Sequence, residues 1–406
     1  MVDIDATQDR EASLDAGPWK RNLAVCVFGS FTTIVAMTLV LPFLPIYVEQ
    51  LGVTDHAAIL QWSGIAYGVT FFAAAFAAPL WGRLADRYGR KLMLIRASLG
   101  MAVAISLMGM ASNIWQLVAL RVLPGLLGGY ASGSMFLVAT QTPKARCGWA
   151  LGILSSGIMA GNLVGPLVGG VLPPLIGIRS TFFLAGAVIF VTFIGTTLFI
   201  HEEKRPAQAR PPKSRGSWSQ IPDKRPIVAM LATGLLLMVA NMSIEPIIAV
   251  YVAQLVEPPR VTFVAGLVMS AAALGSILSS STLGKLADRT GHKTVMIACL
   301  AVSALLLIPQ AFVVSGWQLI LLRFLMGVAL GGLLPCIASV IRHNVPEAIA
   351  GGILGYSVSA QYAGQVIGPF AVGFVGGHIG MRAVFLGTSV LLACGALGNL
   401  AMKKRA

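Results

Sequence analysis

The chain has 406 residues, of which 56% are hydrophobic and only 11% are charged, and its mean hydropathy is +0.82. A soluble globular domain carries about 25% charged residues, so this composition excludes a water-soluble fold. The net charge of +14 falls in particular loops rather than on one surface, which disfavours nucleic-acid binding and favours a membrane protein with basic loops.

A membrane-spanning helix needs roughly 20 predominantly apolar residues. The chain contains twelve stretches of this kind, separated by short polar or basic segments. We therefore predict an all-α membrane protein. Its twelve predicted spans lie at 22–48, 57–81, 92–112, 115–139, 149–172, 179–200, 226–251, 261–283, 294–314, 317–340, 351–374 and 382–401.

The basic residues predict how these spans are oriented. Twelve spans return the chain to its starting side, and the segments on that side carry most of the 29 Lys and Arg residues. The other side has only Arg260 in a loop, with Arg179 and Arg382 at helix starts. The positive-inside rule then places both termini in the cytoplasm.

Sequence signals for signal-peptide processing, for disulfides or a metal site, and for ATP binding are weak or missing. The first apolar run is too long for a signal peptide and lacks a persuasive cleavage site, so we expect no processing. The five cysteines form no CxxC pair and have no neighbouring His, which argues against disulfides and a metal site. No GxxxxGK[ST] sequence occurs, so ATP is not expected to power the protein directly, and no cofactor is implied.

The chain contains two copies of one six-span unit. Residues 82–91 read GRLADRYGRK, and residues 284–293 read GKLADRTGHK. Nearly the same offset relates Tyr47 to Tyr251, Trp115 to Trp317, Arg121 to Arg323, Gly125 to Gly327, Gly165 to Gly368 and Pro166 to Pro369. A register kept along almost the whole chain indicates an internal duplication.

The duplication predicts the domain organisation. We expect two six-helix bundles at 22–200 and 226–401, with cytoplasmic tails at 1–21 and 402–406. The segment 201–225 between them is rich in Pro, Arg and Lys, as is typical of a flexible cytoplasmic linker.

The duplicated loop, the Arg121-xxx-Gly125 element and the glycine-proline run from Gly161 to Gly170 together resemble the major facilitator superfamily, in its twelve-span drug:proton antiporter branch. Stretches that are closer still to MdtG-type bacterial multidrug efflux proteins lie at 19–23, 41–52, 113–116, 148–152 and 382–386. The resemblance implies the major facilitator fold, a bacterial cytoplasmic (inner) membrane location and a functional monomer.

The first copy of the duplicated loop, residues 82–91, is called the first-copy loop. Its residues indicate a contact with a neighbouring helix. Asp86 can accept hydrogen bonds from free N–H groups at a neighbouring helix N-terminus. The resemblance implies a latch that joins the two halves in the outward-facing state, although the basic residues alone would also serve as topology determinants. The expected latch residues are Gly82, Asp86, Arg87, Gly89, Arg90 and Lys91, with Gly284, Asp288 and Arg289 in the second copy.

The fifth predicted span carries a glycine at every fourth position, which makes one smooth stripe where another backbone can approach. This stripe is equally consistent with ordinary membrane packing. The resemblance implies instead the antiporter motif of drug exporters, and with it export rather than import. Its residues are Gly157, Gly161, Gly165, Pro166, Gly169 and Gly170.

Glu245 is the one acidic residue, of fifteen, that lies deep in a predicted span. A carboxylate there is a candidate proton carrier, and we hypothesise that it alternates between an arginine (Arg121 or Arg323), a proton and a cationic substrate. Alternatively, Glu245 is a static ion-pair partner or lines an outer vestibule, and the proton uses Asp86 or a rim residue. Family members often carry the acidic residue on the first span, where this chain has none before Glu49.

Repeat carriers bind solute near the midplane between their halves, so the first, fourth, seventh and tenth spans should line the cavity. The three-and-four spacing of Arg121, Gly125, Gly128, Ser132 and Met135 puts them on one face of a helical fourth span. The candidate substrate-binding residues are Met37, Ser132, Met135, Asn241 and Met242, with Tyr130, Gln361 and Tyr362 in addition.

The sequence thus predicts a proton-coupled antiporter that exports varied lipophilic molecules by alternating access. Its expected partners are small-molecule substrates, protons and the lipid bilayer, without nucleic acid. The alternative in the same architecture is an exporter or flippase for one metabolite, sugar or lipid-linked substrate. A channel would need a selectivity filter and an intramembrane enzyme would need paired catalytic groups, and neither is visible.

Overall fold

The computed structural model describes residues 18–202 and 224–403, and none of these residues forms a β-strand. Most of the predicted linker 201–225 and most of both predicted tails lie outside the described residues. The helices are α1 (Trp19–Thr38), α2 (Leu44–Gln50), α3 (His56–Tyr88), α4 (Arg90–Met108), α5 (Ile114–Leu127), α6 (Tyr130–Gln141), α7 (Cys147–Ile176), α8 (Ile178–Phe199), α9 (Arg225–Ile244), α10 (Ile248–Val252), α11 (Val261–Thr290), α12 (His292–Gln310), α13 (Gly316–Leu330), α14 (Leu333–His343), α15 (Glu347–His378) and α16 (Met381–Lys403).

These helices make twelve spans, as predicted. Within the described residues, eleven helical segments are long and apolar enough to cross a membrane. The 32-residue α15 supplies the remaining span, since at about 1.5 Å per residue it exceeds the roughly 30 Å hydrocarbon thickness. The first span consists of α1 and α2, the fourth of α5 and α6, the seventh of α9 and α10, and the tenth of α13 and α14.

Equivalent residues make equivalent contacts in the two halves. The Tyr47 hydroxyl donates to the Met108 carbonyl at 2.7 Å, and the Tyr251 hydroxyl donates to the Gln310 carbonyl at 2.8 Å. Each tyrosine ring also packs on a buried phenylalanine of its own half. The two bundles therefore share one internal architecture, as the duplication predicts.

Glycines let the second and fourth spans of each bundle approach closely. A Cβ atom at Gly125 would overlap the Thr70 carbonyl oxygen, and a Cβ atom at Gly327 would overlap the Ala272 carbonyl oxygen. Side chains are excluded at such positions because two backbones meet there. These contacts fix the shape of each bundle.

Each of the four central spans is broken into two helices. Proline breaks two of them: Pro42 lies between α1 and α2, and Pro246 lies in a short 3₁₀ turn between α9 and α10. Proline lacks an N–H and clashes with the preceding helical turn. The remaining two breaks lie at glycine pairs.

The break in the fourth span corrects the predicted single stripe from Arg121 to Met135. Gly129 has a φ of 101°, a value that side-chain-bearing residues rarely adopt. Because α5 ends at Leu127 and α6 begins at Tyr130, the three-and-four spacing does not continue through 128–129. Arg121 and Ser132 therefore lie on two different helices.

We expect Gly125→Ala and Gly327→Ala each to lower the free energy of unfolding by roughly 1–3 kcal/mol, because the added Cβ overlaps a carbonyl oxygen in a packed interface. Thermal unfolding of the detergent-solubilised protein measures the effect. Gly387→Ala is the matched control, since nothing lies within 4 Å of a Cβ there. Equal unfolding midpoints for all three variants would contradict this packing.

Candidate transport site

Glu245 begins the 3₁₀ turn that breaks the seventh span, and its side chain is partly buried. One of its carboxylate oxygens accepts a hydrogen bond from the Tyr67 hydroxyl at 2.9 Å. Tyr67 lies in the second span and is 5% exposed. The bond therefore connects the two halves of the protein at the candidate proton carrier.

Both intramembrane arginines are buried next to this pair. Arg121 is 1% exposed and Arg323 is 2% exposed. The Arg121 guanidinium carbon lies 5.6 Å from the centre of the Tyr67 ring, and Arg323 lies close enough to Glu245 for their charges to interact. The predicted grouping of Arg121, Arg323 and Glu245 is thus present, with Tyr67 between Arg121 and Glu245.

Each arginine has a buried N–H group without a hydrogen-bond partner among the described residues. The Arg121 Nε donates to the Ala66 carbonyl at 3.0 Å, while its buried Nη1 has no partner among the described residues. The Arg323 Nη1 contacts the Met326 sulfur at 3.7 Å, and its Nε is likewise unpartnered within the described chain. Unsatisfied buried guanidinium donors are costly, and each of these two N–H groups could donate to a further acceptor.

Asp86, the other acidic candidate for proton coupling, lies far from this group. It ends the second span beside Arg90, and its side chain is 45% exposed. The distance along α3 from Tyr67 to Asp86 is about 28 Å at about 1.5 Å per residue. The structure therefore brings together three of the four predicted coupling residues.

The two halves touch at the face opposite the chain termini. A Cβ atom at Gly64 of the second span would overlap the Pro369 carbonyl oxygen, and a Cβ atom at Gly266 of the eighth span would overlap the Pro166 carbonyl oxygen. These two contacts are equivalent by the repeat. The Ser270 hydroxyl also donates to the Leu163 carbonyl at 2.7 Å across the halves. The protein is thus closed at this face.

Glycines of the same four spans near the face that holds the termini make no such contacts. Nothing in the described chain lies within 4 Å of a Cβ built on Gly82, Gly148, Gly152, Gly284, Gly352 or Gly355. Among the described glycines of these spans, the contacts between the halves therefore lie toward the face opposite the termini.

The first-copy loop is held by Glu202, a residue that the sequence analysis did not identify. Asp86 and Arg90 form an ion pair at 3.8 Å. Glu202, at the end of the sixth span, accepts hydrogen bonds from the backbone N–H groups of Arg90 and Lys91, both at 2.8 Å. Glu202 thereby supplies for α4 the helix N-terminal carboxylate that we expected Asp86 to supply for a neighbouring helix. In the second copy, Asp288 pairs with His292 at 3.4 Å.

The predicted glycine stripe packs inside the first half. Cβ atoms at Gly157, Gly161, Gly165 and Gly169 would meet α1 and the residue after it, Leu39. The other edge of α7 faces the second half, because Gly170 packs against Thr262 and Phe263 of α11. The helix α7 therefore packs through small residues on two sides, against α1 and against α11.

The predicted substrate-binding residues have different surroundings. Ser132 and Met135 are exposed on α6, and Met37, Asn241 and Met242 are partly buried. Tyr362 lines a cavity of about 330 Å³ between the second and eleventh spans, and Gln361 lies on the same helix. Tyr130 is instead buried against Gly29, with its hydroxyl bonded to Thr196 at 2.7 Å, which places it in the core of the first half.

We expect Tyr67→Phe to shift the conformational equilibrium away from the state described here. A hydrogen bond to a charged group contributes about 1.5–3 kcal/mol, so its loss should change the equilibrium by roughly tenfold or more. Distances between spin labels placed at the closed face measure the populations of the two states. Tyr47→Phe is the matched control, because it removes a hydrogen bond within one half. An unchanged distance distribution for Tyr67→Phe would contradict this role.

The comparisons with known proteins agree with the fold and the repeat. The model of the family described as Major Facilitator Superfamily matches residues 26–259 and 260–405. "Multidrug resistance protein MdtG" of Enterobacter lignolyticus is 44% identical over 381 residues, which cover 93% of this chain and 91% of that protein. The protein of the same name from Salmonella typhimurium is also 44% identical, with 93% and 94% coverage.

Solved structures with the same fold are more distant in sequence. A bacterial homologue of the human lysosomal transporter Spinster, in an inward-facing and occupied conformation, has a TM-score of 0.76 at 14% identity and covers 96% of this chain and 98% of its own. The nucleoside transporter NupG has a TM-score of 0.72 at 15% identity, with 93% and 99% coverage. The chain belongs to the Major Facilitator Superfamily.

Proposed function

We propose that this protein is a proton-coupled antiporter that exports structurally varied lipophilic small molecules by alternating access. The names of its relatives and its family support transport of this kind. The observation that carries the proposal is the bond between Glu245 and Tyr67, because it places an intramembrane carboxylate directly on the contact between the two halves.

Protonation of Glu245 would weaken this contact. A phenol donates a strong hydrogen bond to a carboxylate, and charge-assisted bonds are roughly twice as strong as neutral ones. The charged form of Glu245 therefore stabilises closure at the face opposite the termini. Neutralising it lowers the free-energy cost of opening that face.

A cationic substrate would act on the same bond in the same direction. A cation beside Glu245 competes with the Tyr67 hydroxyl for the carboxylate oxygens and compensates their charge. A proton and a substrate then promote the same conformational change but exclude each other at one carboxylate. This mutual exclusion is what antiport requires, since one carboxylate then carries either the proton or the substrate in each half of the cycle.

The candidate substrate-binding residues suit lipophilic substrates. Met37, Met135 and Met242 are flexible and polarisable, so they can repack around different molecular shapes. Tyr362 and Phe72 add aromatic surface in the cavity between the second and eleventh spans. This lining supports broad rather than narrow specificity.

The proposed orientation places both termini in the cytoplasm of a bacterium and the protein in its inner membrane. Its support is the distribution of Lys and Arg between the two faces. The structure described here is then inward-facing, and the loop residues around Asp86 would make their latch contact in the outward-facing state.

Glu245→Gln should abolish uphill transport driven by a pH gradient while leaving downhill exchange of substrate measurable. Glutamine keeps the shape and accepts a hydrogen bond from Tyr67, but it cannot bind or release a proton. Proteoliposomes with an imposed pH gradient, loaded with a panel of unrelated lipophilic cations and neutral compounds, provide the measurement.

Glu257→Gln is the matched control, because Glu257 is exposed at a loop and should transport like the wild type. Uphill transport by Glu245→Gln at the wild-type rate would refute the role of Glu245. Competition restricted to one compound class would instead support the single-substrate exporter.

Membrane-impermeant maleimide should label Arg260→Cys, but not Lys144→Cys, in intact cells of a cysteine-free background. The two positions lie at opposite ends of spans, so their labelling reports the orientation directly. Permeabilised cells, in which both positions should react, are the control. The reversed labelling pattern would contradict cytoplasmic termini.

A further inference from the structure

An arginine and a tryptophan outside the candidate transport site donate hydrogen bonds to the backbone at the break in the fourth span. Arg96 lies six residues into α4, about 9 Å from its start at about 1.5 Å per residue. Its Nη2 donates to the Gly128 carbonyl at 2.9 Å. The Trp81 indole N–H donates to the Leu126 carbonyl at 2.6 Å. Both acceptors belong to the last turn of α5 and the residue that follows it.

The two donors also bind each other. The Arg96 guanidinium carbon lies 3.6 Å from the centre of the Trp81 ring, which is a close cation–π contact. Together they connect the second and third spans to the end of α5. We name Arg96 and Trp81 the α5 clamp.

A helix end needs such donors when it lies inside a membrane. The last carbonyl groups of a helix have no partner within the helix, and lipid offers none. A cation at this end also complements the negative end of the helix dipole. The clamp therefore stabilises the broken form of the fourth span over a continuous helix.

Arg96 has more hydrogen-bond donors than this conformation satisfies. Its Nε and Nη1 are buried and have no hydrogen-bond partner in the described part of the chain. A buried, partly unsatisfied arginine is costly for packing alone. A hydrophobic residue would fill the same space at lower cost, so the arginine indicates a role beyond packing.

The second half has no clamp, although its tenth span is also broken. The repeat equivalents of Trp81 and Arg96 are Leu283 and Ala298. There the Ser276 hydroxyl donates to the Gly327 carbonyl at 3.0 Å, and Leu283 packs against Gly332. A charged residue is therefore not needed to stabilise a break of this kind.

We propose that Arg96, supported by Trp81, is a positioning residue for transport that holds the α5–α6 break and thereby orients the Ser132 and Met135 side of α6 relative to Arg121 on α5. The inference rests on the proposed transport function, because Ser132 and Met135 are candidate substrate contacts. Arg96 touches neither substrate nor Glu245 in this role. It acts through the backbone of Gly128.

Hydrogen–deuterium exchange of the whole protein in nanodiscs tests the clamp without any transport assay. In Arg96→Leu, the amides of residues 129–133 should exchange roughly tenfold faster or more, because opening of the break becomes easier. The amides of residues 331–336, at the equivalent break in the tenth span, are the internal control and should not change. Arg260→Leu, at an exposed arginine, is the control for loss of charge.

Transport of tetraphenylphosphonium, a lipophilic cation, supplies the functional measurement. We expect Arg96→Leu to lower the maximal rate roughly tenfold and to raise the KM, since Ser132 and Met135 are displaced. Arg96→Lys, which keeps the charge and one donor, should restore part of both. Trp81→Phe keeps a ring under the guanidinium and should have a smaller effect in the same direction.

The outcomes separate the clamp from the proposed function. If the wild type does not transport, the proposed function fails, while faster exchange at 129–133 in Arg96→Leu still supports the clamp. Unchanged exchange there overturns the inference, and so does faster exchange with wild-type transport kinetics. If Arg96→Leu does not fold, Arg96→Lys and Trp81→Phe carry the same two measurements.

Discussion

Broken helices inside a membrane impose the constraint on which this structure depends. Irregular backbone there has to find hydrogen-bond partners within the protein, because lipid provides none. The four central spans all break. Polar side chains donate hydrogen bonds to backbone carbonyls near two of the breaks: the Arg96 guanidinium and the Trp81 indole at the fourth span, and the Ser276 hydroxyl at the tenth. Polar side chains at two of the breaks thus bind the backbone near the end of a helix. The candidate proton carrier, Glu245, begins such a break in the seventh span.

The two halves share a scaffold but divide the chemistry between them. Equivalent tyrosines and glycines make equivalent contacts in the two bundles. Arg121 and Arg323 also correspond to each other, but Glu245 and Tyr67 have no equivalents, since Leu41 corresponds to Glu245 and Met269 corresponds to Tyr67. Under the proposed function, the symmetric frame allows the two bundles to rock against each other, and the asymmetric pair Glu245 and Tyr67 makes their contact sensitive to charge.

The sequence predicted the architecture because each signal is local or periodic. Span lengths, the repeat offset and the isolated acidic residue in an apolar run are all visible without coordinates. Tyr67 was missed because a tyrosine in a span does not stand out, and only the fold brings it to Glu245. Arg96 was an available signal, as a basic residue six positions into an apolar helix. The breaks had signals in Pro42, Pro246 and the pair Gly128–Gly129, but only the backbone angles establish that the helix stops there.

The closed face combines backbone and side-chain contacts between the halves. Gly64 contacts Pro369 and Gly266 contacts Pro166 through backbone atoms, and the Phe370 side chain packs against Gly68. The bond from Tyr67 to Glu245 adds the contact between the halves that depends on charge. Under the proposed function, one proton or one cation changes the balance between the two states by weakening this bond.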